Sequence, residues 1–511
     1  MAGLHFLAMD FGSGSGRGIV GSFDGSRIAL NEISRFPNYY VSIGDTFYWD
    51  VFHLFHQILL SVCKSEQIYG TGQIASLGID TWGTDYGLLD CKGQPVGGCR
   101  CIRNTDGQGM EAISNILSRS YLYKATGCQA MRGNTVCQLM ERKLKDDIAL
   151  ETAKTLLLIP DILTYYLTGE MYADYTAAST TMMLDPLKKQ WNRELVRKLG
   201  LPDHILPEVH MPCQDTFMLH NSLAGQGGRW KLVPVAAHDT ASAIAAAPLR
   251  QNEIVCSSGT WSIIGVERDE PLINDKALEL NFSNEGTIDG KIRFIKNCMG
   301  MWAIQQCVSQ WHQDGMELSW SEVVEQAQAA LPFRSLVNLE EPEFYNAGKI
   351  QEKIERYCEK THQPVPESTG QVARCIYESM AMRYRMIAEQ LQEVTGQGFT
   401  GLRIVGGGAQ NRLLNQFTAN ALGIPIYAGP VEAACVGNAL AQAVAAGELK
   451  DFTEIREVAE QSFEITVYEP QCSWSWDEAY QRYQKLLKVD KDSAAEIGGH
   501  QGSAGRTRKD W

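Results

Sequence analysis

Two stretches of the chain, far apart in sequence, share a pattern of an apolar run, a turn rich in glycine and serine, and a second apolar run. They cover residues 4–25 and 253–266. Each predicts a β-hairpin whose turn offers bare backbone N–H groups to an anion. In the first stretch a strand follows the turn, which excludes the dinucleotide-binding and Walker motifs. A third glycine cluster, 406–408, follows another apolar run, so the sequence predicts a duplicated α/β fold with a nucleotide between its halves.

A carboxylate lies beside an imidazole at the predicted end of a buried strand. Residues 232–235 are apolar, His238 and Asp239 follow, and the small residues 240–243 predict the start of a tightly packed helix. Asp239 therefore lies at a strand-to-helix junction, where ligands bind in open α/β sheets. Its carboxylate can accept a hydroxyl proton or hold a metal; alternatively it caps the helix, because Asp is a favoured N-cap.

Length and composition limit the classes of protein to consider. A chain of 511 residues predicts two or three domains, and 44% hydrophobic and 21% charged residues are typical of a globular protein. The net charge of -14 argues against a nucleic-acid partner, because phosphate binding needs a basic face. The 14 cysteines lack metal-ligand spacing, and neither a signal peptide nor a membrane-spanning apolar run is recognisable. These features predict a cytoplasmic protein without a membrane partner.

The position of the second hairpin divides the chain into two predicted domains. The second hairpin begins just after the helix predicted at Asp239, so we expect an N-terminal domain of residues 1–248 and a C-terminal domain of residues 249–487. Residues 488–511 are charged, rich in glycine and serine and poor in aliphatic side chains. Such a composition cannot bury a core and predicts a disordered tail.

Seven short motifs follow one another in order over about residues 4–470. They are 10–17 (DFGSGSGR), 78–90 (GIDTWGTDYGLLD), 238–243 (HDTASA), 257–262 (SSGTWS), 284–286 (NEG), 295–302 (IKNCMGMW) and 406–411 (GGGAQN). Each motif is weak alone, but the ordered set resembles the FGGY carbohydrate kinases of the actin-like, ribonuclease-H-like ATPase superfamily.

The resemblance implies two actin-like domains with ATP in the cleft between them, Mg²⁺ beside it, and a small ketose deeper inside. Asp239 matches the general base that takes the proton from the ketose C1 hydroxyl, and Asp10 matches the carboxylate near the metal. The positions that match nucleotide contacts are Ser13, Gly14, Ser15, Gly16, Arg17, Thr260, Gln305 and Gly407. Those that match sugar contacts are Gly83, His238, Asp239, Thr240 and Asn297.

Several of these side chains also fit plain structural roles. The residues concerned are Asp10, which can close the hairpin turn, Arg17, which can be a solvated strand arginine, His238, which can be an ordinary buried histidine, and Gln305, which can cap a neighbour of its helix. Asp80 and Asp85 flank Trp82 and Gly83. Either one of these two acids lines the sugar pocket or both are structural.

Two segments depart from the family pattern and leave the sugar open. A Tyr-Arg-Asp segment is expected after Pro95, whereas residues 99–106 read CRCIRNTD, so that Arg103 substitutes for the arginine and Asn104 stands where the acid should follow. Residues 131–135 (MRGNT) replace an apolar Phe-Asn-Thr type of stretch. Both segments belong to the sugar-binding domain, so a family kinase for another ketose or polyol is an alternative.

Two further alternatives are weaker. A non-kinase actin-like ATPase would carry a separate client-binding domain after the nucleotide core, and the sequence shows none. An inactive, sugar-sensing member would have lost Asp239 or the phosphate turns, which are all present.

Overall fold

The computed structural model describes residues 3–220, 230–345, 348–471 and 474–499, with side chains up to residue 488. The strands of the N-terminal half are β1 Leu4–Phe11, β2 Ser15–Phe23, β3 Ile28–Pro37, β4 Tyr40–Ile43, β5 Thr46–Trp49, β6 Ile74–Thr81, β7 Tyr86–Leu89, β8 Pro95–Val96, β9 Cys99–Arg100, β10 Thr155–Leu158, β11 Ala173–Asp174, β12 Leu184–Asp185, β13 Gln190–Trp191, β14 Val209–His210, β15 Phe217–Met218 and β16 Lys231–Leu232. Its helices are α1 Val51–Tyr69, α2 Gln108–Ile116, α3 Arg119–Thr126, α4 Thr135–Leu144, α5 Ile148–Thr152, α6 Ile159–Thr168, α7 Tyr175–Ala178, α8 Arg193–Lys198 and α9 Asp239–Ala245.

The C-terminal half contains fewer strands and longer helices. The strands are β17 Glu253–Ser258, β18 Trp261–Arg268, β19 Ser283–Gly286, β20 Ile292–Met299, β21 Gly401–Val405, β22 Ile426–Ala428 and β23 Thr466–Tyr468. The helices are α10 Asp275–Glu279, α11 Trp302–Gln313, α12 Trp320–Ala329, α13 Ile350–Lys360, α14 Thr369–Thr395, α15 Arg412–Leu422, α16 Ala433–Ala445, α17 Thr453–Ser462 and α18 Trp474–Gly499. No helix in the described ranges is both long enough and apolar enough to cross a membrane.

Both predicted hairpins form, and each lies at the centre of a sheet. The first sheet has the order β15-β16-β6-β1-β2-β3 and the second the order β19-β20-β18-β17-β21-β22-β23. In the first, β1 pairs antiparallel with β2 and parallel with β6; in the second, β17 pairs antiparallel with β18 and parallel with β21. The four-strand order β6-β1-β2-β3 thus repeats as β21-β17-β18-β20. This repetition confirms the prediction of a duplicated α/β fold.

Close packing explains part of the glycine content of the first hairpin. A Cβ at Gly16 would lie 2.3 Å from the ring of Phe36, which β3 places beside the turn. Only glycine leaves room for that ring. The glycine of the predicted anion-binding turn therefore also lets the third strand close over it.

One helix of the C-terminal half completes the core of the first sheet. Val436 and Ala439 of α16 pack with Phe6 and Ala8 of β1 in one apolar cluster. A Cβ at Gly437 would lie 1.9 Å from the carbonyl oxygen of Ser242, so α16 and α9 approach backbone to backbone. The strands of the first sheet precede residue 248 in the chain, and those of the second sheet follow it. Helix α16 then brings the chain back to the first sheet.

The end of the described chain differs from the expectation of a disordered tail. Helix α18 continues to Gly499, whereas the sequence led us to expect disorder from residue 488. The segment 488–497 contains lysine, alanine and glutamate, which favour a helix. The rest of the predicted tail, residues 500–511, lies outside the described residues.

Candidate active site

Three carboxylates meet at one edge of the first sheet. Asp10 lies near the end of β1 and Asp80 near the end of β6, and the two are direct partners in the parallel β1–β6 pairing. His238 forms a parallel bridge with Thr81, which places the following Asp239 at the same edge. The carboxyl ends of parallel strands share an edge, and ligands bind there in α/β sheets. The fold therefore gathers three acids that are far apart in sequence.

Asp239 is the first residue of α9 and does not cap it. The N-cap is His238, and Asp239 Oδ1 accepts hydrogen bonds from the backbone N–H of Thr240 and, at 3.1 Å, from Thr240 Oγ1. Its side chain is 29% exposed, so the carboxylate stays accessible to a substrate. Desolvation, reinforced by the charge of Asp10, raises the pKa of Asp239 to about 7, although the Thr240 hydrogen bonds oppose the shift. A carboxyl group with such a pKa is suited to accept a proton near neutral pH.

His238 and Gly83 are in contact. A Cβ at Gly83 would lie 3.0 Å from the His238 ring and 2.9 Å from Thr180 Oγ1, so a glycine is needed here for close approach. The backbone N–H of His238 donates to Thr176 Oγ1 at 3.1 Å. Burial lowers the pKa of His238 well below its usual value, which keeps the imidazole neutral. Its Nδ1 is buried and has no hydrogen-bond partner in the described part of the chain.

Asp10 and two side chains from the C-terminal half lie close enough together to hold a divalent cation. Burial, followed by the charges of Asp10 and Asp239, raises the pKa of Asp80, and Asp80 Oδ1 is buried without a partner among the described residues. Carboxylate oxygens are the ligands that Mg²⁺ prefers, and Mg²⁺ keeps several of its waters. Among the described residues, one group of metal-ligating side chains has its ligand atoms within 4.8 Å of one another: Asp10, Glu432 and Cys435. Of these, the two carboxylates suit Mg²⁺, whereas a thiol does not.

Arg17 is a bridge rather than a solvated strand arginine. Its Nη2 lies 2.7 Å from Asp10 Oδ2, and its Nη1 lies 2.5 Å from Glu432 Oε2. The first hairpin is thereby joined to the segment that leads into α16. The turn before it is held by Asn38, whose Nδ2 donates to Gly12 O at 2.8 Å. The residues of the turn predicted to contact phosphate are Ser13, Gly14, Ser15 and Gly16, of which Gly14 and Ser15 are exposed and Gly16 is buried.

The predicted nucleotide residues of the second half lie on adjoining elements. Thr260 occupies the β17–β18 turn, and its carbonyl accepts from Trp302 N–H at 3.2 Å at the start of α11. Gln305 lies one turn further along α11 and is partly exposed. A Cβ at Gly408 would lie 2.0 Å from Ser258 Oγ, so the third glycine cluster packs on the end of β17. Gly407 itself is exposed, and a Cβ there would meet nothing within 4 Å.

Asp80 and Asp85 have different environments. Asp80 belongs to the carboxylate cluster and accepts from Asn438 Nδ2 at 2.6 Å. Asp85 is enclosed by three donors, the indole N–H groups of Trp49 and Trp82 and the Gln138 amide, at 2.6–3.1 Å. Its carboxylate therefore joins Trp49, Trp82 and Gln138 within the first half. Of the two acids, Asp80 is the one that lies with Asp10 and Asp239.

The first segment that departs from the family pattern is tied into the surrounding structure. Asn104 forms two hydrogen bonds of 2.7 Å with the backbone N–H and C=O of Phe47 and so fastens β5. The Arg103 guanidinium lies over two rings, 5.4 Å from the centroid of Tyr40 and 4.6 Å from that of Trp302. Trp302 begins α11, so Arg103 links the two halves by cation–π contacts.

Comparison with known proteins decides the family. The sequence model of the FGGY family of carbohydrate kinases, N-terminal domain, matches residues 5–246, and that of the C-terminal domain matches residues 254–446. The chain belongs to the FGGY family of carbohydrate kinases. Such kinases use ATP with Mg²⁺, which agrees with the acidic cluster and the glycine-rich turns. The sequence-based prediction of a sugar kinase is confirmed.

Similar proteins cover nearly the whole FGGY kinase chain. A rhamnulokinase of Bacteroides thetaiotaomicron is 39% identical over 489 residues, which is 95% of this chain and 99% of that protein. A rhamnulokinase of Bacillus subtilis is 36% identical over 472 residues, 91% of this chain and 96% of that protein. Ligand-bound xylulose kinase from Lactobacillus acidophilus has a TM-score of 0.76 at 16% identity and covers 97% of this chain and 98% of its own. Plasmodium falciparum glycerol kinase with ADP has a TM-score of 0.73 at 14% identity, covering 96% and 98%. These structures confirm the two-domain actin-like fold.

Three residues near the cluster were not found from the sequence. Glu432 and Asn438 reach the first sheet from α16 and the segment before it. Arg293, on β20, is fully buried and pairs with Glu285 at 2.9 Å, while its Nε and Nη1 have no hydrogen-bond partner among the described residues. Its positive charge acts against the rise in the pKa of Asp239. Local pattern gives no signal for such residues, because their roles depend on contacts between distant parts of the chain.

Proposed function

We propose that this FGGY kinase transfers the γ-phosphoryl group of ATP to the C1 hydroxyl of L-rhamnulose, forming L-rhamnulose 1-phosphate and ADP. The observation that carries the chemistry is the accessible carboxylate of Asp239, with its raised pKa, held beside Asp10 and His238. The sugar is inferred from the relatives, because rhamnulokinases at 34–39% identity cover at least 90% of this chain. We place this reaction in the metabolism of L-rhamnose.

Asp239 is proposed to act as the general base. Its ionised form takes the proton from the C1 hydroxyl as that oxygen attacks the γ-phosphorus, while the bond to the β-phosphate oxygen breaks. Phosphoryl transfer depends chiefly on position and charge stabilisation, so one base in the correct place is enough. The Thr240 hydrogen bonds orient the carboxylate, and the neutral His238 ring beside it adds no positive charge that would weaken the base.

The phosphates are proposed to lie between the two hairpin turns. In the first half, the backbone N–H groups of residues 13–16 and the Arg17 guanidinium would bind the phosphates. In the second half, Thr260 would do so. A Mg²⁺ ion bound near Asp10 would neutralise charge that develops on the phosphate oxygens. Gln305 and Gly407 are proposed to contact the adenosine, since both lie on elements that pack against the β17–β18 turn.

The sugar pocket is proposed to include Gly83, His238, Thr240 and Asn297. The absence of a side chain at Gly83 lets Thr180 and the His238 ring pack against its backbone, and His238 Nδ1 is buried without a hydrogen-bond partner among the described residues. A polar group left buried without a partner is costly, so a bound hydroxyl would stabilise this arrangement.

We also infer a cytoplasmic location and a division of labour at residue 248/249. Every cysteine in the described ranges is free, which fits a reducing compartment. Residues 1–248 would then supply the sugar site and the base, and residues 249–487 the adenosine site.

The direct test is ADP formation by the purified protein with a panel of acceptors: L-rhamnulose, L-fuculose, L-xylulose, L-ribulose, D-xylulose and glycerol. We expect kcat/KM to be highest for L-rhamnulose. A higher value for another acceptor would mean that the departures around Arg103 and residues 131–134 have changed the sugar while the catalytic cluster is retained. Turnover of ATP that is independent of every acceptor would reject the kinase proposal.

A further inference from the structure

A segment of the N-terminal half is attached to three asparagines of the C-terminal half. The backbone carbonyl of Gly127 accepts from Asn284 Nδ2 at 2.9 Å, and the backbone N–H and C=O of Ala130 bond to the Asn281 amide at 3.0 and 3.3 Å. Between them, Gln129 bonds to Asn297. The segment lies directly before residues 131–134, which depart from the family pattern.

The Gln129–Asn297 contact consists of three hydrogen bonds. Gln129 Oε1 accepts from the backbone N–H of Asn297 at 2.9 Å and from Asn297 Nδ2 at 3.0 Å. Gln129 Nε2 donates to the backbone carbonyl of Asn297 at 3.4 Å. Gln129 is 6% exposed, so solvent competes little for these groups.

The backbone of Asn297 fixes the orientation of both amides. A backbone N–H can only donate and a carbonyl can only accept, so the Gln129 amide can face them in one way. The Asn297 side-chain atom that faces Gln129 Oε1 must then be its NH₂ group. Its Oδ1 is directed away from Gln129, and no hydrogen bond to this oxygen is found within the described ranges.

We propose that Gln129 is a positioning residue that presents Asn297 Oδ1 as an acceptor for a hydroxyl group of the sugar. This inference rests on the proposed contact of Asn297 with the substrate. Because Gln129 belongs to one half and Asn297 to the other, the acceptor is oriented only when the two halves are together. The orientation of this acceptor in the sugar pocket therefore depends on the contact between the two halves.

A mutant cycle separates this role from general support of the interface. Gln129→Met removes the amide at similar volume, Asn297→Ala removes the acceptor, and the double variant combines them. Asn281→Ala is the matched control, because it breaks a neighbouring contact between the halves without touching Asn297. Gln129→Glu keeps the oxygen that accepts both N–H groups but replaces the Nε2 donor to the Asn297 carbonyl with a second oxygen. Each variant is assayed with the ketose that the wild-type enzyme prefers, and thermal unfolding is measured in parallel.

We expect Gln129→Met to lower kcat/KM for the sugar by about tenfold to a hundredfold, as loss of an oriented hydrogen-bonding pair would, with KM for ATP changed by less than about threefold. In the Asn297→Ala background the same substitution should cause no further loss. Gln129→Glu should recover only part of the activity, because its second oxygen faces the Asn297 carbonyl, and Asn281→Ala should stay within about threefold of wild type. If Gln129→Met does not fold, Gln129→Asn, which withdraws the amide by one methylene, replaces it in the cycle.

The proposal is overturned if Gln129→Met leaves kcat/KM unchanged, if it costs as much in the Asn297→Ala background, or if Asn281→Ala has the same effect. Wild-type activity in Asn297→Ala would also overturn it, while leaving the kinase function intact. Conversely, preference for a sugar other than L-rhamnulose would refute the proposed substrate without affecting the cycle.

Discussion

The raised pKa of Asp239 predicts an acid limb in the pH–rate profile at an unusually high pH. Desolvation and the Asp10 charge raise this pKa to about 7, whereas an ordinary aspartate titrates near 3.8. A general base works only when ionised, so activity should fall as pH decreases through 7. The parameter to measure is kcat/KM for MgATP at saturating sugar, because it reports groups in the enzyme before the metal–nucleotide binds.

The size of the effect follows from the ionised fraction. With a pKa of about 7, roughly one tenth of the enzyme is active at pH 6 and roughly one hundredth at pH 5, so log kcat/KM should fall with a slope of about one. With the ordinary pKa of 3.8, more than about nine tenths of the carboxyl groups would still be ionised at pH 5. A profile that is flat down to pH 5 would refute the reasoning.

Arg293 provides a test of the electrostatic cause. Its charge holds the pKa of Asp239 down, so removal should move the acid limb to higher pH, by about 0.5–2 units. Arg293→Met is combined with Glu285→Gln, because Arg293→Met alone would leave the buried Glu285 uncompensated. Arg293→Lys is the matched control and should leave the limb near its wild-type position. A limb that does not move in the double variant, or that moves to lower pH, would show that Arg293 does not act on Asp239.

Two further substitutions test the site in three ways. Asp239→Asn should lower kcat by about 10²–10⁴, the usual contribution of a general base, and near-normal turnover would remove Asp239 from the mechanism. The same substitution should raise the free energy of unfolding by about 2–4 kcal/mol at pH 8, because the folded state there must ionise a carboxyl group whose pKa it raises from 3.8 to about 7. This gain in the free energy of unfolding should shrink as pH falls from 7 towards 4. Urea unfolding of the wild type and the variant at pH 8 and pH 5 measures it. A variant that is no more stable than the wild type at pH 8 would contradict the raised pKa of Asp239. Gly83→Ala should raise KM for the sugar more than KM for ATP and cost about 1–3 kcal/mol of stability, because the new Cβ would lie 2.9 Å from Thr180 Oγ1 and 3.0 Å from the His238 ring; unchanged kinetics would show that this contact is not tight.

The local sequence pattern was sufficient to predict the parts of the fold that depend on neighbouring residues. An apolar run, a glycine-rich turn and a second apolar run are sufficient to predict a hairpin, and two such hairpins predicted the duplication that the sheet orders show. Asp239 begins a helix as predicted, but the apolar run before it forms a strand only at Lys231–Leu232, followed by an isolated bridge at His238. The ion bridge from Arg17 to Glu432 could not be predicted in this way, because its partners are brought together only by the packing of α16 on the first sheet. The interpretation of Asp239 as a helix cap was wrong because His238 takes that position.

Helix α16 explains why the cluster of acids depends on both halves of the chain. Asn438 Nδ2 donates to Asp80, the Cys435 thiol lies 3.5 Å from Asp10 Oδ2, and Glu432 pairs with Arg17. One further turn along, the Gln442 amide donates to the carbonyl of Leu7 and accepts from Ser76 Oγ, which fastens the helix to β1 and β6. Asp10 and Asp80 therefore each have a partner on α16, whereas Asp239 is held by the neighbouring Thr240. A shift of α16 would alter the partners of Asp10 and Asp80 together, so the roles proposed for these acids depend on the same helix that completes the core of the first sheet.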